Sequence, residues 1–223
     1  MKIEKTAVTG FIPAIQGMRN SFNSHDKSDS IFYDYYSGIV ANDIFVFDKI
    51  LIGPRDMQLA MNLVKAGEPH CKFRRMIIVW VDITAPLLWW KQMDTYKVGT
   101  TANSDSTMHN VCDRDFTPED FECHGDSDKV LWIDIIDKLN EYRRLYIDCK
   151  ANGDMDEAAK WQRLIYELMP CSYHQKRTLC LNYSVLASIY QQRRSHKLGE
   201  WHKVCQWIET LPYSEFITGR IKE

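Results

Sequence analysis

Asn182 and Arg193 stand eleven residues apart, at the two ends of NYSVLASIYQQR, and their chemistry suits a ligand. Asparagine donates and accepts hydrogen bonds at once, and the arginine guanidinium is a planar fork that grips a phosphate through paired N–H groups. The spacing predicts one helical stretch from Tyr173 to Arg194 with Asn182 in its interior. At 3.6 residues per turn, three turns return Arg193 close to the face that carries Asn182. An amide and a guanidinium on one face are what a nucleotide site requires. An exposed polar face near a helix end, where arginine suits the dipole, accounts for the same spacing.

Other reactive residue types form weaker patterns. Cys123-His124, with Cys112 before them, supply thiol and imidazole donors, yet their spacing matches no zinc finger or ribbon, so no metal site is expected. Seven cysteines and seven histidines offer many pairs, and the sequence singles out no nucleophile. The stretch DTYKVGTTANSDSTMH, Asp94 to His109, is crowded with hydroxyls, contains one lysine, and follows the apolar run MIIVWVDITAPLLWW. Taken alone it reads as a polar loop.

These residues sit in a chain of 223 residues that is 45% hydrophobic and 26% charged, ordinary values for a folded globular protein. A formal net charge of −2 gives no basic field to collect a polyanion, so no nucleic-acid partner is expected. The odd, scattered cysteines and the opening MKIEKTAVTG, without an apolar leader, point to free thiols in a reducing cytoplasm. The longest strongly apolar stretch, Met76 to Val81, is far short of a membrane span, and no membrane partner is expected.

The elements that must position the chemistry follow from periodicity and punctuation. Pro54 opens a helix that carries Asp56 near its start and Met57, Met61 and Val64 at helical spacing, and Gly67 closes it. Phe73 to Thr84 is the principal buried strand, limited by Pro86. Ser127 caps a long helix with Val130, Ile133, Ile136, Leu139 and Leu145 on one face, and Asn152-Gly153 stops it. A second arm from about Met155 to Met169 makes a helical hairpin, and a last helix spans about Glu200 to Leu211.

Several separated segments, taken in order, resemble the flavin-dependent thymidylate synthase family. Arg19-Asn20-Ser21-Phe22 is similar to its early Arg-x-Ser-Phe. Gly67, Phe73-Arg74-Arg75 and Ala85-Pro86 follow its Gly, Phe-x-His and Ala-Pro, with Arg75 in place of His. Lys91-Gln92 resembles the lead into the family signature, and Thr101, Asn103 and Ser106 fall on its Ser, Asn and Ser when the loop is anchored on Asn103. In that register Tyr96-Lys97-Val98 stands for Arg-His-Arg, Ser104 for Glu and Met108-His109 for Arg-Tyr. Anchored on Gln92 and Ala85-Pro86 instead, one inserted residue puts Lys97 at the second Arg. Pro170, Asn182 and Arg193 keep the family spacing, so the resemblance runs from Arg19 to about Trp201.

The resemblance implies an α+β fold: a single domain over residues 1–223 with a central antiparallel sheet, surrounding helices and a mostly helical C-terminal half. It implies a homotetramer with intersubunit sites. It places Ser21, Arg75, Lys97 and Asn182 with FAD, and Gln92, Ser106 and Arg193 with a pyrimidine deoxynucleotide; no catalytic residue is assigned. The implied reaction is reductive methylation of dUMP to dTMP, or a related nucleotide modification, with NADPH and methylenetetrahydrofolate as co-substrates. Lost guanidiniums and a lost carboxylate weigh against turnover, because one preorganised donor is worth roughly 3–4 kcal/mol in an active site. The alternatives are a catalytically inactive nucleotide-binding protein that sequesters or senses its ligand, and an oligomeric interaction module on the same scaffold.

Overall fold

The computed structural model describes residues 1–33, 39–41, 43–48, 50–106, 110–123 and 125–220. In chain order, the elements of the first half are β1 (Lys2–Thr9), α1 (Phe11–Arg19), β2 (Ile31–Phe32), β3 (Ile39–Ala41), β4 (Ile44–Val46), β5 (Ile50–Leu51), α2 (Pro54–Ala66), β6 (Ile78–Pro86), α3 (Leu87–Met93) and β7 (Thr100–Ser104). The second half contributes α4 (Asp126–Ala151), α5 (Met155–Leu168), β8 (His174–Asn182), α6 (Tyr183–Arg193), α7 (Gly199–Thr210) and α8 (Glu215–Thr218). The chain divides into two compact units, one of residues 1–2, 84–95 and 104–177, the other of residues 3–83, 96–103 and 178–223.

The second unit is built on the sheet, whose strands run in the order β3-β4-β1-β6-β8-β7. The fold class is α+β. The sheet is mixed rather than purely antiparallel, since β1 pairs with β4 in parallel while β3 and β4 are antiparallel. Ile77, Val79, Val81 and Ile83 are buried at every second position, the period of a strand with one face on the core. Phe11, Ala14 and Ile15 of α1, Leu186 and Ile189 of α6, Trp201 and Ile208 of α7 and Phe216 of α8 are buried as well. Gly10, with φ +97°, turns β1 into α1 so close to the Met76 carbonyl that a methyl group there would sit 2.0 Å from its oxygen.

The first unit is a helical hairpin of α4 and α5 with α3 and the segment before α4. Val111, Phe116, Phe121, Ile136, Leu139 and Ile165 form its core, flanked by Trp132, Tyr142 and Tyr173. Asp154 caps α5 by accepting from the Glu157 amide at 3.1 Å.

Four expectations are corrected. Helix α4 starts at Asp126 with Gly125 as its cap, so Ser127 lies inside the first turn. Its apolar residues do not share one face: Ile136 and Leu139 are buried, whereas Val130 is 67% and Ile133 48% exposed. Steps of three residues fall about 60° short of a full turn each time, so a run at i, i+3, i+6 winds around the helix. The strand expected from Phe73 begins at Ile78, because Lys72–Met76 is a 3-10 turn. The stretch from Tyr173 is not one helix: β8 occupies His174–Asn182 and α6 starts at Tyr183. Leu179, Leu181 and Tyr183 are buried at alternate positions, a strand period that the apolar residues of α6 obscured when read together with it.

Candidate functional site

Asn182 ends β8 and caps α6, its side-chain oxygen accepting from the Val185 amide at 3.1 Å. That bond fixes the amide oxygen inward. The Nδ2 group faces the turn before β7, where a methyl group on Gly99 would lie 3.0 Å from it. Gly99 has φ +78°, a conformation that L side chains adopt at a cost of about 1–2 kcal/mol. Gly99→Ala is therefore expected to destabilise the protein by about that amount or more, measured by urea unfolding, and to displace the Lys97–Thr101 backbone. Asp94 to His109 is thus not one loop: Thr100–Ser104 forms β7, at the edge of the sheet. Its residues are mostly exposed, and Thr107, Met108 and His109 lie outside the described residues.

Arg193 closes α6, about 16 Å along the axis from Asn182 at 1.5 Å per residue. Its Nε donates to the Tyr96 hydroxyl at 2.9 Å, and Tyr96 in turn donates to Gln192 Oε1 at 3.0 Å. The guanidinium lies 4.9 Å from the Trp201 ring centre and 5.6 Å from that of Tyr96, so two aromatic rings border the planar fork. Only Nε is engaged among the described residues, leaving four N–H groups for a ligand. Next to this box, burial first, then Arg193, His202 and Lys197, push the His196 imidazole below its usual 6.5, which keeps it neutral at pH 7. Its Nδ1 accepts from the Leu198 amide at 3.1 Å. Tyr96→Phe removes the hydroxyl but keeps the ring, and is expected to weaken any Arg193-bound anion several-fold by titration calorimetry while leaving the melting temperature nearly unchanged.

The remaining carried-over residues fall elsewhere. Lys97 is exposed, and its ammonium has no ion pair among the described residues. Ser21 lies in a 3-10 turn after α1 and lines a cavity of about 260 Å³ with Gly17, His70, Lys72, Phe73 and Met76; none of Lys97, Asn182 and Arg193 lines it. Arg75 is exposed in the 3-10 turn Lys72–Met76. Gln92, near the end of α3, and Ser106, whose carbonyl accepts from the Asn110 amide, belong to the other unit. In the first unit Trp89 and Trp90 are buried packing residues, and Arg177 stacks 4.4 Å from the Trp90 ring centre while pairing with Asp94 at 2.7 Å. The aromatic box of Tyr96 and Trp201 and the cavity residues His70 and Lys72 were not singled out by sequence. A tyrosine where the resembled family has arginine was the available signal.

Compared with solved structures, the chain matches the flavin-dependent thymidylate synthase ThyX from Helicobacter pylori, complexed with FAD and dUMP, over 100% of both chains with a TM-score of 0.69 and 17% identity. The fold is that of the flavin-dependent thymidylate synthases. A second neighbour with this fold is the UMP/dUMP methylase PolB from Streptomyces cacaoi, bound with 5-Br dUMP. It matches 94% of this chain and 88% of its own, with a TM-score of 0.58 and 13% identity. No protein-family model matches the chain, and no curated protein matches it in sequence. On the flavin-dependent thymidylate synthase fold, β7 and the N-terminal end of α6 bring Gly99 against Asn182, and the segment before β7 supplies Tyr96 to Arg193.

The donor set in the sheet-containing unit fits a phosphate-bearing flavin in kind. Lys97, Arg75 and Lys72 offer cations, Ser21 and Asn182 offer neutral donors, and Phe73 and Met76 offer apolar surface beside Ser21. FAD bound there would supply two-electron redox chemistry, and these groups would serve to bind and orient it.

Proposed function

We propose that this protein binds FAD and a pyrimidine deoxynucleotide and acts in reductive methylation of dUMP or a related nucleotide. The observation that carries the reading is Arg193, a guanidinium bordered by Tyr96 and Trp201 with four N–H groups left for a phosphate among the described residues. Both neighbours described above are complexes with a deoxyuridine nucleotide, and one also holds FAD. Ser21, Arg75, Lys97 and Asn182 take the flavin; Gln92, Ser106 and Arg193 take the nucleotide. NADPH and methylenetetrahydrofolate are the proposed co-substrates.

The 260 Å³ cavity beside Ser21 is smaller than a site for a whole dinucleotide, and Asn182 does not line it. A site completed by a second copy, in the homotetramer that the family resemblance implies, would accommodate the rest of the flavin. Exposed apolar side chains in the same unit, Phe22 at 88%, Leu51 at 54% and Phe47 at 46%, are available for such an interface. All seven cysteines are free thiols, in keeping with a cytoplasmic setting, and among the described residues no helix is long and apolar enough to cross a membrane.

A second reading is a nucleotide-binding protein without turnover, favoured by Tyr96-Lys97-Val98 and Ser104 in place of Arg-His-Arg and Glu, a loss of two guanidiniums and a carboxylate. The test is nucleotide-dependent NADPH oxidation by FAD-loaded protein supplied with methylenetetrahydrofolate, with thermal shift by dUMP in parallel. Oxidation supports the enzyme. Thermal stabilisation without oxidation supports the binding protein, since a ligand that prefers the native state raises its stability regardless of chemistry. Absence of both responses overturns both readings.

A further inference from the structure

We propose that a separate cavity between the C-terminal ends of α2, α6 and α8 binds a small organic anion, one carboxylate or phosphate group joined to a compact apolar body. The cavity encloses about 490 Å³, within the range of small-molecule sites. The residues that cap those three helices, Gly67, Arg194 and Gly219, all line it. Helix C-termini carry partial negative charge, which explains why two guanidiniums gather there.

Arg74 lines the wall with its side chain only 6% exposed. Its Nε donates to the Phe216 carbonyl and its Nη1 to Glu68 at 2.8 Å. Its Nη2 has no acceptor among the described residues, so a buried guanidinium keeps unused donors beside the cavity. Arg194 adds a second guanidinium, and Gln191 and Thr218 add neutral polar groups.

Among the described residues Glu68 is the one carboxylate on the lining, and both its oxygens are engaged, by Arg74 and by the Ser184 hydroxyl at 3.0 Å. The helix C-termini offset much of the charge of the two guanidiniums, so the anion is held by the unused guanidinium N–H donors rather than by a net positive field. Val64, Ala187 and Ile217 supply the apolar part. Arg194 follows Arg193 by one residue, which turns it about 100° around the helix and separates this lining from the Tyr96 and Trp201 box. The inference does not depend on the proposed reaction.

The probes are benzoate, phenyl phosphate and the neutral benzyl alcohol, each titrated into the full chain by calorimetry. Both anions are expected to bind saturably and the alcohol not to bind. Arg194→Ala, an exposed site that leaves folding intact, is expected to weaken anion binding roughly tenfold or more. Arg55→Ala, at an exposed arginine outside the cavity, is expected to change nothing. Ala187→Phe, which fills the cavity, is expected to abolish binding. Preference for phenyl phosphate identifies a phosphate monoester as the ligand class, and preference for benzoate a carboxylate. No saturable anion binding, equal binding of benzyl alcohol, or binding unchanged in Arg194→Ala overturns the proposal. Titration of dUMP in parallel reports on the Arg193 site, so the two readings fail separately.

Discussion

Asp56→Ala is expected to lower the unfolding free energy by about 3–5 kcal/mol, the cost of leaving a buried partner charge unpaired. Asp56 is fully buried at the start of α2, and its Oδ1 accepts from Arg19 Nε at 2.6 Å. Its Oδ2 accepts from the Ser28 and Ser30 hydroxyls, each at 2.6 Å, and from the Asp29 and Ser30 amides at 3.3 and 3.2 Å. One carboxylate thus joins the end of α1, the segment at 28–30 and the start of α2. Its removal strands the Arg19 guanidinium, 6% exposed, together with four weaker donors. Equilibrium urea unfolding measures the loss, and a change below about 1 kcal/mol would show that this network is not what fixes the segment carrying Ser21.

The same carboxylate gives the stability an acid dependence. Burial pushes the Asp56 pKa up, but hydrogen bonds from Ser28, Ser30 and Arg19, together with the Arg19 charge, outweigh it and leave the pKa below its ordinary 3.8. A carboxyl whose folded pKa is depressed binds its proton more readily when unfolded. Its contribution is complete above the unfolded value and disappears as pH falls through the lower folded one. Loss of stability from this group is therefore confined to pH below about 4, and should be absent in Asp56→Ala.

Arg193→Ala is expected to weaken dUMP binding by ten- to a hundredfold, about 1.5–3 kcal/mol for a charge-assisted hydrogen-bonded contact. Arg193→Lys should recover little, because a lysine ammonium is a point charge without the planar fork that Tyr96 and Trp201 border. Fold should survive, since Arg193 is only half-buried at the end of α6, whereas Trp201, one of the rings it touches, is held by the core itself. Calorimetric titration of the three proteins decides it, and equal affinities would remove Arg193 from the nucleotide site.

Much of the scaffold was legible because its punctuation is local. Pro54 and Gly67 bracket α2, Asn152-Gly153 follows α4, and Pro170 follows α5, each through backbone constraints that hold whatever the tertiary context. β8 was not legible as a strand. Leu179 and Leu181 alternate, but Leu181, Val185 and Ile189 also fit helical spacing, and only the neighbouring strands of the sheet decide between the two. β7 gave no signal because TTANS has no apolar face to bury, and its place beside β8 is set by the sheet. In the candidate site, Asn182 and Arg193 were readable as residue types at a spacing. The Tyr96 and Trp201 box was not, since it joins residues 96, 193 and 201, and only the fold brings them together.

The visible absorption spectrum of the purified protein, after incubation with FAD and removal of the excess, tests the central claim most directly. The account predicts a retained flavin band, weakened by Lys97→Ala, whose exposed side chain has no structural partner to lose among the described residues. Folded protein that retains no flavin would contradict it.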